Sequence, residues 1–435
     1  MNRNIGKIIE MRFYMYTGYV HTLERPPESV DKGKLKINVI DKRTTRPIMN
    51  AIVDISTTSQ PDRTLEELRT DESGNTEEVE LSTPPLEYSM EPGANQPFSE
   101  YYLRINAPGY EEKVISGSDL FAGQTSLQQV DLSGNDEVET SIVIPVNTLY
   151  GVYPPKIPEN EIQPTNQSGE IVLSKVVIPE TVVVHDGPPS DSSASNYYVR
   201  YADYIKNVAS SEIYSTWPRE TMKANILAIM SFTLNRVYTE FYRNKGYNFT
   251  ITSSTAYDHK WIYGRNVFES ISDVVDEIFN LYLSRPNVKQ PILTQYCDGK
   301  RVSCPNWLSQ WGSKYLGDQN YSAIEILRYY YGDNMYINSA EEIQGIPSSW
   351  PGYNLDIGSS GSKVRQLQEQ LNLIGEYYTA IRVLEPDGIY GENTANAVRT
   401  FQRIFDMPQT GIVDFATWYQ ISNKYVALSG IAELV

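Results

Sequence analysis

The sequence predicts a multidomain α+β protein with three folded parts: an N-terminal β-sandwich, a central domain mixing helices and strands, and a C-terminal module of three helices. Three observations carry this. At 435 residues the chain exceeds one ordinary hydrophobic core. Its apolar period is two from about Gly33 to Leu132 and becomes helical from Tyr197 onward. From about residue 354 the grammar changes again, with a glycine turn before each apolar helix.

Residues 1–32 form a pre-segment. Its opening, "MNRNIGKIIEMRFYMYTGYV", is basic, but its apolar residues are interrupted by Lys, Glu and Arg, so no secretory signal is expected. Residues 33–135 read as a small antiparallel sandwich: "KLKINVIDK", "NAIVDIST", "EEVELST" and "LQQVDL" alternate, and "TDESGNT" and "APGY" supply turns. Residues 136–196 are rich in Pro, Ser, Gly and Asn and predict an extended connector open to proteolysis.

The central domain is expected over 197–350. Pro218 suits a first helical turn, and Met222, Ile226, Met230, Leu234, Val237 and Phe241 make an apolar stripe. A second helix is expected from Val267 to Ser284, stopped by Pro286, then a strand at "QPILTQYC" and a helix at "SAIEILRYYYG" ended by Gly332. In the last part, 351–435, Val364, Leu367 and Leu371 are expected to face Ala397, Val398 and Phe401.

Charge limits the partners. With 54 acidic against 37 basic residues and a formal charge of −17, the chain should repel nucleic acid and anionic membrane surfaces. No stretch approaches the roughly 20 consecutive apolar residues of a membrane span. The 33 tyrosines suit stacking on polyhydroxylated polymers, and equally suit cores and interfaces. The three histidines, His21, His185 and His259, lie in separate segments without ligand spacing, so no catalytic zinc and no cofactor is expected. Cys297 and Cys304 are too few for a disulfide framework and fit a reducing compartment. They admit a turn-spanning disulfide, free thiols, or a structural metal with His259; six intervening residues are wider than a zinc knuckle, which favours the first two.

Two glutamates flank Trp217-Pro218. Glu220 falls in the first turn of a helix, where the macrodipole and free N–H groups favour a carboxylate. Glu212 precedes that helix beside Ile213, Tyr214 and Trp217, and apolar surroundings raise a carboxyl's pKa toward that of a general acid.

Several segments resemble known families. "TDESGN" and "LRINAPGYEE" resemble the carboxypeptidase-regulatory-like sandwich. Gly358, Gly361, Val364, Leu367, Gln368 and Leu371, then Asp387, Gly388, Gly391, Thr394, Ala397, Val398, Phe401 and Gln402, then Gly411, Val413, Thr417 and Trp418 resemble the peptidoglycan-binding type 1 family. That resemblance implies a glycan groove with Asp387, Tyr390 and Gln402 as contacts. The central block "SEIYSTWPRETMKAN", with "WIYGR", "SQWGS" and "YSAIEILRYYYGD", resembles the stage II sporulation protein D family of lytic transglycosylases. It implies Glu212 as catalytic acid and Lys223 as the family's lysine, with Trp217, Tyr263, Tyr296 and Gln310 lining the groove. The chain departs from that family at Met230, where an arginine is usual.

In the chemistry so implied, one carboxyl protonates the glycosidic oxygen and then accepts the proton of the muramic acid's own 6-hydroxyl. No second carboxylate is needed. The order of segments resembles the clostridial spore cortex-lytic enzymes. This implies a propeptide removed by a subtilisin-like Csp protease cutting at about 140–180, cortex peptidoglycan as substrate, and a place at the spore cortex or its boundary with the coat. An amidase and a non-catalytic wall-binding protein are the alternatives.

Overall fold

Strict alternation builds the N-terminal part in the computed structural model, which describes residues 31–93, 95–134, 141–146, 156, 173–344 and 350–429. Residues 1–30 of the pre-segment and all of 147–172 except Lys156 lie outside the described residues. In β1 (Asp31–Asp41), Leu35, Ile37 and Val39 turn inward while the residues between them face outward. β2 (Ile52–Thr57), β3 (Glu66–Arg69), β4 (Val79–Thr83), the short helix α1 (Glu87–Met90), β5 (Phe98–Asn106), β6 (Lys113–Phe121), β7 (Thr125–Leu132) and β8 (Ser141–Val143) follow. One sheet contains β4, β1 and β7 in that order, the other β3, β2, β5, β6 and β8, and a shared apolar cluster lies between them. The expected antiparallel pattern needs correction at two places: β1 pairs with β7, and β6 with β8, in parallel.

The boundary after the sandwich also differs from expectation. Val176, Ile178, Val182 and Val184 are fully buried, so "KVVIPETVVV" is not connector. It forms β9 (Val177–Ile178) and β10 (Thr181–His185), and β10 lies between β11 (Asn196–Arg200) and β12 (Ile251–Thr252). The central domain therefore begins near residue 173. Two helices follow β11: α2 (Tyr201–Glu212) and α3 (Arg219–Tyr238), joined by a turn that ends at Pro218 in the N-cap position. From Thr221 to Arg236 all but one side chain of α3 is buried, so it is the domain's central helix and not an amphipathic surface one.

The single helix expected over 267–284 is divided. Its first two residues form β13 (Val267–Phe268), which pairs antiparallel with β7 of the sandwich. Its middle is α4 (Glu269–Ile278), and its end is β14 (Leu281–Ser284). Sheet partners at both ends override the helical periodicity. Of "QPILTQYC" only β15 (Tyr296–Cys297) pairs, with β16 (Leu308–Ser309). The domain closes with α5 (Gln310–Asp318), α6 (Ala323–Tyr331), β17 (Tyr336–Ser339), which pairs with β14, and β18 (Glu342–Ile343), which pairs with β9. A Ser322/Glu325 capping box starts α6, and Gly332, at φ 93°, ends it. The C-terminal part is α7 (Ser362–Gly375), α8 (Glu392–Ile404) and α9 (Phe415–Ser429), with Val364, Leu367, Leu371, Ala397, Val398 and Phe401 buried in one cluster.

The sandwich is bonded tightly to the central domain. Phe121 lies 5.2 Å, centroid to centroid, from both Tyr214 and Phe268. The Trp217 indole N–H donates to the Ser89 carbonyl at 3.0 Å. Arg265 and Asp119 form a fully buried ion pair at 3.2 Å, and the Asn266 amide donates to the Asp119 carbonyl and the Ser126 hydroxyl.

Candidate active site

Glu212 is the last residue of α2 and 4 % exposed. Its Oε1 accepts the Lys260 backbone N–H at 2.6 Å, while Oε2 is buried without a hydrogen-bond partner. Burial pushes its carboxyl above the ordinary range; Lys156, the Tyr296 hydroxyl and the Lys260 N–H act in the opposite sense and do not cancel it. The negative end of the α2 dipole adds to the upward push. The result is a carboxyl biased toward its protonated form, with one oxygen clamped and the other free to exchange a proton.

The pocket around it is lined by Lys156, Thr255, Asp258, Tyr296, Asp298 and Gln310. Tyr296 stands on β15 and Gln310 opens α5, so the short β15–β16 pairing places both against the end of α2. Cys297 and Cys304 form a disulfide, which closes the loop whose Asp298 carboxylate accepts the N–H groups of Lys300, Arg301 and Val302. Behind the pocket His259 is wholly buried and held neutral by burial and by the nearby Lys156 and Arg236 cations. Asp258 is fully engaged by Arg236, Tyr242 and Thr252, and serves to fix the loop that presents Lys260. Among the described residues no three His, Cys, Asp or Glu side chains converge as a metal site.

Glu212, Tyr296 and Gln310 are thus brought together, and other expected site residues lie elsewhere. Lys223 is paired with Glu277 at 2.7 Å, outside the pocket. Trp217 is buried against Trp311, Tyr214 and the sandwich, where its N–H is bound to Ser89. Tyr263 stacks on Tyr197 and lines a different cavity, of about 280 Å³, between α2 and the sandwich. Met230 is core. Glu220 accepts the N–H of Ala323 and so caps α6 besides starting α3.

In the C-terminal part the expected glycan contacts are mostly turn clamps. The Gln402 amide accepts the Gly411 N–H and donates to the Ile412 carbonyl; Gln368 does the same for Gly388 and Ile389 one repeat earlier. Tyr390 is buried and donates to the Gly411 carbonyl. Asp387 is exposed, with its carboxylate turned to Gln368 and the Ile389 N–H. A cavity of about 520 Å³ in this part is lined by Arg382, Val383, Asn393, Asn396 and Thr400, and by none of the three expected contacts. The two clamps are alike in space but not in spacing, since Gln368 lies 20 residues before its glycine and Gln402 nine.

These helices and glycine turns are where the chain meets a known family. Residues 360–421 match the putative peptidoglycan binding domain. The protein therefore carries a peptidoglycan-binding module, and peptidoglycan is its indicated partner. Among solved structures, the SleB N-terminal domain is 26 % identical over 18 % of this chain and 99 % of that one, with a TM-score of 0.16. The Bacillus anthracis TIE protein is 17 % identical over 24 % of this chain and 17 % of that one, at a TM-score of 0.17. The minor pilin GBS52 of Streptococcus agalactiae is 14 % identical over 25 % of this chain and 48 % of that one, at 0.18. The chain spans less than half the length of the latter two. No helix among the described residues is long and apolar enough to cross a membrane.

Proposed function

We propose that this protein cleaves the glycan strands of peptidoglycan by lytic transglycosylation, with Glu212 as the single acid–base group. The observation that carries this reading is the buried Glu212 carboxyl, raised in pKa, with Oε2 unpartnered beside Tyr296 and Gln310. In the forward step Glu212 gives its proton to the glycosidic oxygen as the C1–O bond breaks. The muramic acid 6-hydroxyl then attacks C1 and its proton returns to Glu212, leaving a 1,6-anhydro ring. The Lys260 N–H steadies the carboxylate between the two transfers. The C-terminal module holds the polymer while the central domain acts.

The finer reading is a SleC-type spore cortex-lytic zymogen. It acts on cortex peptidoglycan at the spore cortex, after a subtilisin-like protease cuts the Pro-rich connector. The Glu212→Gln variant tests the chemistry, because it removes the transferable proton at nearly constant size. With cortex sacculi, the trimmed wild type should release anhydromuramic ends detectable by mass spectrometry, and the variant should lose about 10²–10⁴ in rate. Reducing ends would instead mean hydrolysis, freed stem peptides an amidase, and intact glycan a binding protein.

A further inference from the structure

Lys156 comes from the Pro-rich stretch that sequence reading assigns to the connector, yet its ammonium group sits in the Glu212 pocket. Its Nζ donates to the Asp258 carbonyl at 2.8 Å and lies 4.4 Å from the ring centre of Phe232 and 4.9 Å from that of Tyr296. A carbonyl, two aromatic faces and the adjacent Glu212 carboxyl are the parts of an ammonium cage. A cation enclosed in this way needs such compensation to remain charged. The enclosure is close enough that burial lowers the lysine to about 8, against the upward pull of Glu212 and Asp258.

Two consequences follow for the carboxyl. With Lys156 in place the pocket keeps a cavity of only about 40 Å³, room for a few waters and not for a sugar ring. The neighbouring cation also favours the ionised carboxylate, which is the wrong form for donating a proton.

We propose that the Glu212 pocket is a binding site for a primary ammonium group, and that Lys156 is its resident ligand, which keeps the uncut chain inactive. The inhibitory half of this rests on the transglycosylase reading, and the ammonium site does not. A cut within 147–155 or 157–172 leaves Lys156 joined to the protein from one side only.

The test uses the full-length chain as wild type and as Lys156→Ala, with n-butylammonium as probe and n-butanol as the uncharged control, followed by calorimetry. Lys156→Ala should bind the amine at least about tenfold more tightly than wild type, as expected for vacating one desolvated cation–π cage. Neither protein should bind the alcohol. A Lys156→Ala protein that melts as wild type does and takes no amine overturns the proposal, as does wild type binding the amine equally well. On cortex sacculi, uncut Lys156→Ala should approach the rate of cut wild type. If cut wild type is active and uncut Lys156→Ala is as slow as uncut wild type, inhibition by Lys156 is overturned. If cut wild type is itself inactive, the transglycosylase reading fails, and amine binding alone decides the ammonium site.

Discussion

A single cut in the connector should leave the sandwich attached to the rest of the protein. Phe98 and Phe121 of the sandwich are buried in the central domain's apolar cluster, and Ile262 of the central domain is buried in that of the sandwich. At about 1.5–3 kcal/mol each, these three side chains alone contribute roughly 5–9 kcal/mol. The β7–β13 pairing and the hydrogen bonds from Trp217, Asn266 and Gln128 across the same interface work against the entropic cost of association. At the upper end of that range the two pieces hold together with micromolar affinity or tighter. The experiment places a unique protease site within 157–172, cuts to completion, and runs the product on size exclusion at about 10 µM under native conditions. The two fragments should elute together and separate only under denaturing conditions. Phe121→Ala should cost about 3–5 kcal/mol through the cavity it leaves, enough to split the complex at that concentration. Wild-type fragments that separate at neutral pH and ordinary salt would refute the reasoning. Activation would then require departure of the sandwich, whereas the interface described here lets a cut release Lys156 while the sandwich stays.

The sandwich's alternation and the glycine turns of the C-terminal part were legible because both are local: a period of two, and residues that need a positive φ, are written in neighbouring letters. Glu212 was legible for a related reason, since Ile213, Tyr214 and Trp217 announce an apolar setting. The rest depended on partners distant in sequence. "TVVVH" reads as a short apolar run between Pro-rich stretches, and only its pairing between β11 and β12 and its burial in the central cluster make it a core strand. Val267-Phe268 and Leu281–Ser284 continue a helical period on either side of α4, but sheet edges on the sandwich and on β17 capture them. Trp217 was expected to line the groove because the sequence cannot reveal that the sandwich's Ser89 carbonyl accepts its N–H. Lys156 had no local signal at all, being one cation in a proline-rich stretch.

Two further predictions concern buried polar groups. Gln402→Ala should cost about 1–3 kcal/mol, because the Gly411 N–H and the Ile412 carbonyl lose their partner. Denaturant unfolding should show that loss, while binding to sacculi well below the unfolding midpoint stays at the wild-type level, as a clamp and not a contact requires. Glu212→Gln should make the protein more stable at neutral pH than wild type. The folded-state pKa of Glu212 lies above its unfolded value, so its contribution is fully present below the unfolded carboxylate range and is lost as pH rises through the raised pKa. At pH 7 the unfolded carboxyl is ionised and folding disfavours that charged form, a cost that the glutamine does not carry. The difference in melting temperature between variant and wild type should be positive at pH 7 and shrink as the pH falls toward 4, where both side chains are neutral. A difference that is flat with pH, or that grows on acidification, would mean that Lys156 and the Lys260 N–H outweigh burial. The carboxyl would then be a stabilised carboxylate, unfit to donate a proton to a glycosidic oxygen.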